Sequence, residues 1–128
     1  MKVIQELIAY FDRRGKLTPE QIGKLLKQGL LASEAPQNLV ALGHHIGQTF
    51  YFRVRGQEVG PVWGTDVYTG DSALAAAAVH AGAVPLGETG VVKVTIVEPL
   101  QQYRGSTRNG ITSYPYGPYN TAYQVDAV

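Results

Sequence analysis

Ser72-Ala73-Leu74-Ala75-Ala76-Ala77-Ala78-Val79-His80-Ala81 is the stretch on which the fold turns. Alanine is the best helix former, and neither glycine nor proline interrupts the run. Thr69 or Asp71 is placed to cap its start, and Gly82 to take the left-handed position after its end. Only Ser72 and His80 are polar, and a helix apolar all round belongs inside a protein. Alanine also lets other backbones come close. The expectation is a short, central, buried helix over residues 72–81, wrapped by strands.

The flanks supply those strands. Phe50, Phe52 and Val54 alternate with Tyr51, Arg53 and Arg55, the period of a half-buried strand. Gly56 and Gly60-Pro61 punctuate it, and a short strand is expected between Val62 and Tyr68. Val91-Val92-Lys93-Val94-Thr95-Ile96-Val97 is rich in β-branched residues and predicts a strand. Asn109-Gly110 is the strongest hairpin signal in the chain, and a last strand is expected near residues 121–126.

Residues 1–47 read differently. Val3, Leu7, Ile8 and Phe11 share one helical face. Thr18-Pro19-Glu20-Gln21 has the chemistry of a helix start, with Ile22, Leu25 and Leu26 on the apolar side and Gly29 as the stop. A third short helix is expected at about 36–46, with Leu39, Leu42 and Ile46 inward. Residues 1–30 hold six Lys/Arg and three Asp/Glu, which reads as a solvated helix face or a weak docking patch.

Composition narrows the function classes. The 128 residues contain no cysteine, which removes disulfide scaffolds, zinc ribbons and thiolate nucleophiles. A net charge of +1 argues against general polyanion binding, nucleic acid included. No apolar run approaches the ~20 residues that span a bilayer. Met1-Lys2-Val3-Ile4-Gln5-Glu6-Leu7 lacks the pattern of a secretory signal, so the default expectation is a cytoplasmic location, with non-classical export as the alternative.

Two stretches resemble a known family. Gly64-Thr65-Asp66-Val67-Tyr68-Thr69-Gly70-Asp71-Ser72, continued by Ala76-Ala77-Ala78-Val79-His80-Ala81-Gly82, is similar to the signature of the LCCL domain. Tyr103-Arg104-Gly105-Ser106-Thr107-Arg108-Asn109-Gly110-Ile111-Thr112-Ser113 is similar to its tyrosine-to-Asn-Gly-Ile-x-Ser stretch. The resemblance covers about residues 49–126. It implies an α+β fold in which a central helix is enclosed by two antiparallel sheets. It also implies a binding or adhesion module without a catalytic site or cofactor, linked in some members to lipopolysaccharide or glycan recognition. Tyr68, Asp71, Ser72, His80, Gly82, Asn109, Gly110 and Ser113 carry the structural motif. Animal members hold cysteines, one of them expected where Leu74 and Ala75 stand, so this chain resembles a bacterial-type, cysteine-free member. The expected organisation is a helical appendage at 1–47 followed by a β-rich domain at 48–128.

The candidate chemistry is sparse. Asp71 and Ser72 begin the helix and His80 ends it, about 12–13 Å away, so they form no compact triad. His80 reads as a buried imidazole that hydrogen-bonds the strands. His44-His45 are neighbours and chelate one metal poorly, since helical zinc sites use a four-residue offset. Gly105 to Gly110 lacks the ending of a phosphate loop and reads as a β-turn. Trp63 is expected to pack under a loop.

The surface candidate is the aromatic tail. Tyr103, Tyr114, Tyr116, Tyr119 and Tyr123 crowd near Arg104 and Arg108. Pro115 and Pro118 stiffen the loop. Tyr114, Tyr116, Tyr119, Arg104, Arg108 and Asn109 are therefore the candidate ligand-binding residues, for a glycan, a lipopolysaccharide or a protein partner. The competing reading is a structural or assembly subunit that docks or self-associates through residues 1–47. An enzyme ranks below both, because no nucleophile–base pair, carboxylate pair or metal cluster stands at useful spacing.

Overall fold

The computed structural model describes residues 32–128. The two helices expected within residues 1–30 lie outside the described residues. The elements run β1 (Ser33–Glu34), β2 (Thr49–Arg55), β3 (Gly64–Thr65), β4 (Val67–Thr69), α1 (Leu74–His80), β5 (Thr89–Val97), β6 (Thr107–Arg108), β7 (Ile111–Thr112) and β8 (Ala122–Ala127).

β5 organises the sheet. Its β-branched run pairs antiparallel with β2 on one side and β8 on the other. The pairing sets Phe52 opposite Val92, Val94 opposite Val125 and Ile96 opposite Tyr123. All six are buried, so the alternation read from sequence becomes one continuous apolar face. The full order is β1-β2-β5-β8-β4-β3. Helix α1 contacts β8 and the β6–β7 ribbon. Leu74, Ala76, Ala77, Ala78, Val79 and His80 are all buried.

The architecture corrects the expected enclosure by two antiparallel sheets. The described residues hold one six-stranded sheet, and it is mixed, because β1 runs parallel to β2. The second β element is only the two-stranded β6–β7 ribbon. The physical reason lies in residues 98–121. Pro99, Pro115 and Pro118 have no amide hydrogen, and Gly105, Gly110 and Gly117 disfavour extended ladders. Outside the β6–β7 ribbon this stretch forms only isolated bridges, Tyr103 to Tyr116 within it and Tyr114 to Trp63.

Other boundaries also moved. The helix expected at 36–46 is a single 3-10 turn over Val40–Leu42, with Pro36, Gly43 and Gly47 bracketing it. Leu39 is buried, but Ile46, expected inward, is 46% exposed. α1 starts at Leu74 with Ala73 as its N-cap and no side-chain cap. Neither expected cap, Thr69 or Asp71, serves: the Thr69 hydroxyl bonds that of Ser72 at 2.8 Å, and no side chain caps the helix start. The stop falls as expected, with Gly82 at φ +79°. β1 and the core residue Leu39 both precede residue 48, at which the sequence reading starts the β-rich domain.

Ala77 has no exposed surface. Ala77→Leu is expected to destabilise by about 1–3 kcal/mol through overpacking, read from urea or thermal unfolding. A neutral result would mean that this face of α1 has room to spare.

Candidate functional site

Two polar groupings surround α1, one inside and one at the surface. The inner one is centred on His80, which is fully buried. Its Nε2 lies 3.2 Å from the Ser106 carbonyl and 3.1 Å from Ser106 Oγ. A carbonyl can only accept, so Nε2 carries the proton. Nδ1 is then the acceptor for the Tyr68 hydroxyl at 2.9 Å. Burial pushes the Tyr68 phenol up to about 12, keeping its proton available to donate. Burial also lowers the His80 pKa, and the nearby Arg108 charge adds to this.

A serine within reach of an imidazole resembles a nucleophile and its base. The tautomer argues otherwise. Nε2–H points its proton at Ser106, so it has no lone pair to receive one from the Ser106 hydroxyl. Ser106 Oγ is also 2.6 Å from Thr65 Oγ1. Ser113 Oγ accepts from the Ser106 amide and donates to the Ser106 carbonyl. The cluster ties β3, α1 and the residues flanking the β6–β7 ribbon together.

The other motif residues have structural partners too. Ser72 Oγ accepts from the Trp63 amide at 3.0 Å, and the Tyr123 hydroxyl donates to the Ser72 carbonyl. Asn109 and Gly110 both adopt positive φ, as a two-residue turn between Arg108 and Ile111 requires. Asn109 Nδ2 then donates to the His80 carbonyl at 3.1 Å. It thereby satisfies one of the carbonyls that the last turn of α1 leaves open. Asn109 is thus engaged with the helix end, although the sequence nominated it for a ligand. Arg108, nominated likewise, is ion-paired with Asp66 at 2.7 Å.

The outer grouping is aromatic. Tyr103 and Tyr123 are core residues. Tyr114 and Tyr116 are 53% and 46% exposed. Trp63, half-buried, meets Tyr116 edge-on at 6.1 Å, and Tyr119 meets it at 5.9 Å. The loop is held from behind. The Tyr103 amide donates to the Tyr116 carbonyl at 2.8 Å, and the Tyr116 amide returns a bond to Tyr103 at 3.0 Å. The Tyr114 amide likewise donates to the Val62 carbonyl. Arg104 and Gln102 border a shallow depression beside Tyr116 and Pro115. The arrangement therefore gathers Tyr116, Tyr119 and Arg104, leaves Tyr114 exposed on the same loop, and sets Arg108 against Asp66 and Asn109 against the helix end. Gln102 was not nominated from sequence, where nothing but its place beside Tyr103 marks it. The His44 and His45 rings meet at 4.3 Å with a 34° tilt, and His45 stands edge-on to Phe50, an aromatic packing arrangement.

A buried alanine helix, a β-sheet and a stiff tyrosine loop characterise the described residues. A family model described as the LCCL domain matches residues 42–123, and the chain belongs to that family. Family membership gives it the general role of a binding module. Transcriptional regulatory protein rxt3 of Schizosaccharomyces pombe is 41% identical over 56 residues, covering 41% of this chain and 16% of that protein. Cysteine-rich secretory protein LCCL domain-containing 2 of Homo sapiens is 40% identical over 57 residues, covering 44% of this chain and 12% of that protein. The chain spans less than a fifth of the length of these curated relatives.

Proposed function

We propose that this chain is a non-catalytic recognition module that binds a protein partner through the Tyr114–Tyr119 loop and Arg104. The observation that carries the reading is the combination of exposure and rigidity. Tyr114 and Tyr116 present large rings to solvent, while paired backbone bonds from Tyr103 and Val62 fix the loop beneath them. A pre-ordered aromatic surface loses little conformational entropy on binding, and Tyr and Arg dominate the energetics of protein interfaces. The relatives favour a polypeptide over lipopolysaccharide or a glycan. One is named a transcriptional regulatory protein and the other a secretory protein, and polypeptide is a ligand common to both settings. The non-catalytic part rests on His80, whose two nitrogens are both engaged within the fold.

The test is a parallel titration of displayed peptides, a glycan panel and lipopolysaccharide, followed through Trp63 and tyrosine fluorescence. Peptides are expected to shift the signal, and Tyr116→Ala to weaken that binding at least tenfold with little change in melting temperature. A response to glycans or lipopolysaccharide alone would replace the protein partner with those ligands. A large stability loss in Tyr116→Ala would reassign the ring to packing.

A further inference from the structure

A cleft of about 630 Å³ lies between the outer end of β2 and the start of α1. Its origin is a proline. The Ala35 amide still donates to the Arg53 carbonyl at 3.0 Å, as if β1 were continuing. Pro36 has no amide to offer, and the chain leaves the sheet. The detour is then anchored. The Leu74 amide donates to the Gln37 carbonyl, and the Leu39 amide to the Gly70 carbonyl. The far wall is tied by the Ala73 amide to the Pro61 carbonyl. The cleft is therefore built into the backbone.

Its lining has a distinct chemistry. Ala73 and Ala75 line its apolar part, and Gln37, Asn38 and Gln57 bring amides that both donate and accept. No aromatic ring lines it, which argues against stacking of sugars. Arg53 is neutralised by Glu34 at 2.6 Å. Arg55, two residues further along β2, is exposed and takes part in neither ion pair of the described residues. Asp71 also lines the cleft and stands beside Tyr119, whose phenol is raised by burial and by that carboxylate. Tyr119 in turn packs on Tyr116. Cleft and tyrosine loop thus meet at Asp71.

We infer that the cleft binds an extended peptide segment carrying an acidic residue for Arg55, and that the same peptide continues over Asp71 onto the tyrosine loop. The inference rests on the protein-recognition reading above and names the partner chemistry. Side-chain amides match the donors and acceptors of an extended backbone, the alanines accept small side chains, and the Arg55 guanidinium selects a carboxylate.

The experiment uses the full 128-residue chain to select from a phage-displayed random dodecapeptide library, with an unrelated protein as background. Synthetic versions of the selected peptides are then measured against wild type, Arg55→Glu, Ala75→Leu and Tyr116→Ala. The expected result is enrichment of Asp and Glu, a loss of at least tenfold in Arg55→Glu and in Ala75→Leu, and weaker binding in added salt. Arg55 is on the surface, so its variant keeps the test valid even where Ala75→Leu disturbs α1. Peptides that bind Arg55→Glu and Ala75→Leu within twofold of wild type, but lose Tyr116→Ala, overturn the cleft and leave the tyrosine loop standing. No enrichment over background overturns both.

Discussion

Replacing His80 by alanine is expected to remove about 3–5 kcal/mol of stability, a large share of what a domain of this size has. The substitution does three things together. It opens a cavity at the end of α1, and it leaves the buried Tyr68 hydroxyl without its acceptor. It also takes the imidazole donor from the Ser106 carbonyl, so the segment that carries the β6–β7 ribbon keeps only its Asn109 bond to the helix end. The urea midpoint at constant slope measures the loss. A change below about 1 kcal/mol would show that the network can be rebuilt around water. The same group sets an acid dependence. Burial holds the folded pKa of His80 below its value of about 6.5 in the unfolded chain. The unfolded state therefore binds the extra proton first. The contribution is fully present above pH ~6.5, declines as pH falls below it, and stops declining once pH is below the folded pKa. His80→Gln has no such proton and is expected to lose that slope, whatever its stability at neutral pH.

The helix was legible because ten consecutive residues carry one message of high propensity and no polar face. Its capping was not. Thr69 and Asp71 were the expected caps, but the N-cap is Ala73 without a side-chain bond, and the Thr69 hydroxyl meets Ser72 through a contact that no local pattern shows. Alternation at Phe50, Phe52 and Val54 exposed β2, whereas the two-residue strand β1 is too short to carry a period. The tyrosine loop was visible as stiff and aromatic, since proline and tyrosine act locally. That Tyr103 and Tyr123 turn inward and Tyr114 and Tyr116 outward depends on strand pairing. Asn109 announced the turn, but the carbonyl it meets belongs to a residue 29 positions away. The cleft was unreadable for the same reason. Gln37, Arg55, Gln57 and Asp71 come from three separate stretches, and Pro36 was its one local sign.

Gly64→Ala is expected to destabilise by about 3–5 kcal/mol, through two effects that act at one atom. Gly64 holds φ at +104°, which side chains with a Cβ rarely adopt. A Cβ there would also overlap the Val67 carbonyl oxygen across the β3–β4 hairpin and press on the Tyr68 Cα at 3.2 Å. These are backbone atoms, so no rotamer change relieves the clash. The hairpin must open, and Tyr68, buried against His80 and Tyr123, moves with it. Gly110→Ala is the proper control. Its φ is +82°, but nothing lies within 4 Å of the added Cβ, so only the dihedral cost of about 1 kcal/mol applies. The difference between the two variants isolates the steric part. Gly64 also donates its amide to the Tyr114 carbonyl at 3.1 Å, and Thr65 donates its hydroxyl to the Arg104 carbonyl. Opening the hairpin therefore releases the support of the tyrosine loop as well as the core. At temperatures where Gly64→Ala still folds, peptide binding is expected to weaken along with stability, whereas Gly110→Ala binds as wild type. Equal stability losses in the two variants would show that the hairpin yields at little cost, and unchanged binding in Gly64→Ala would show that β3 does not hold the loop in its binding form.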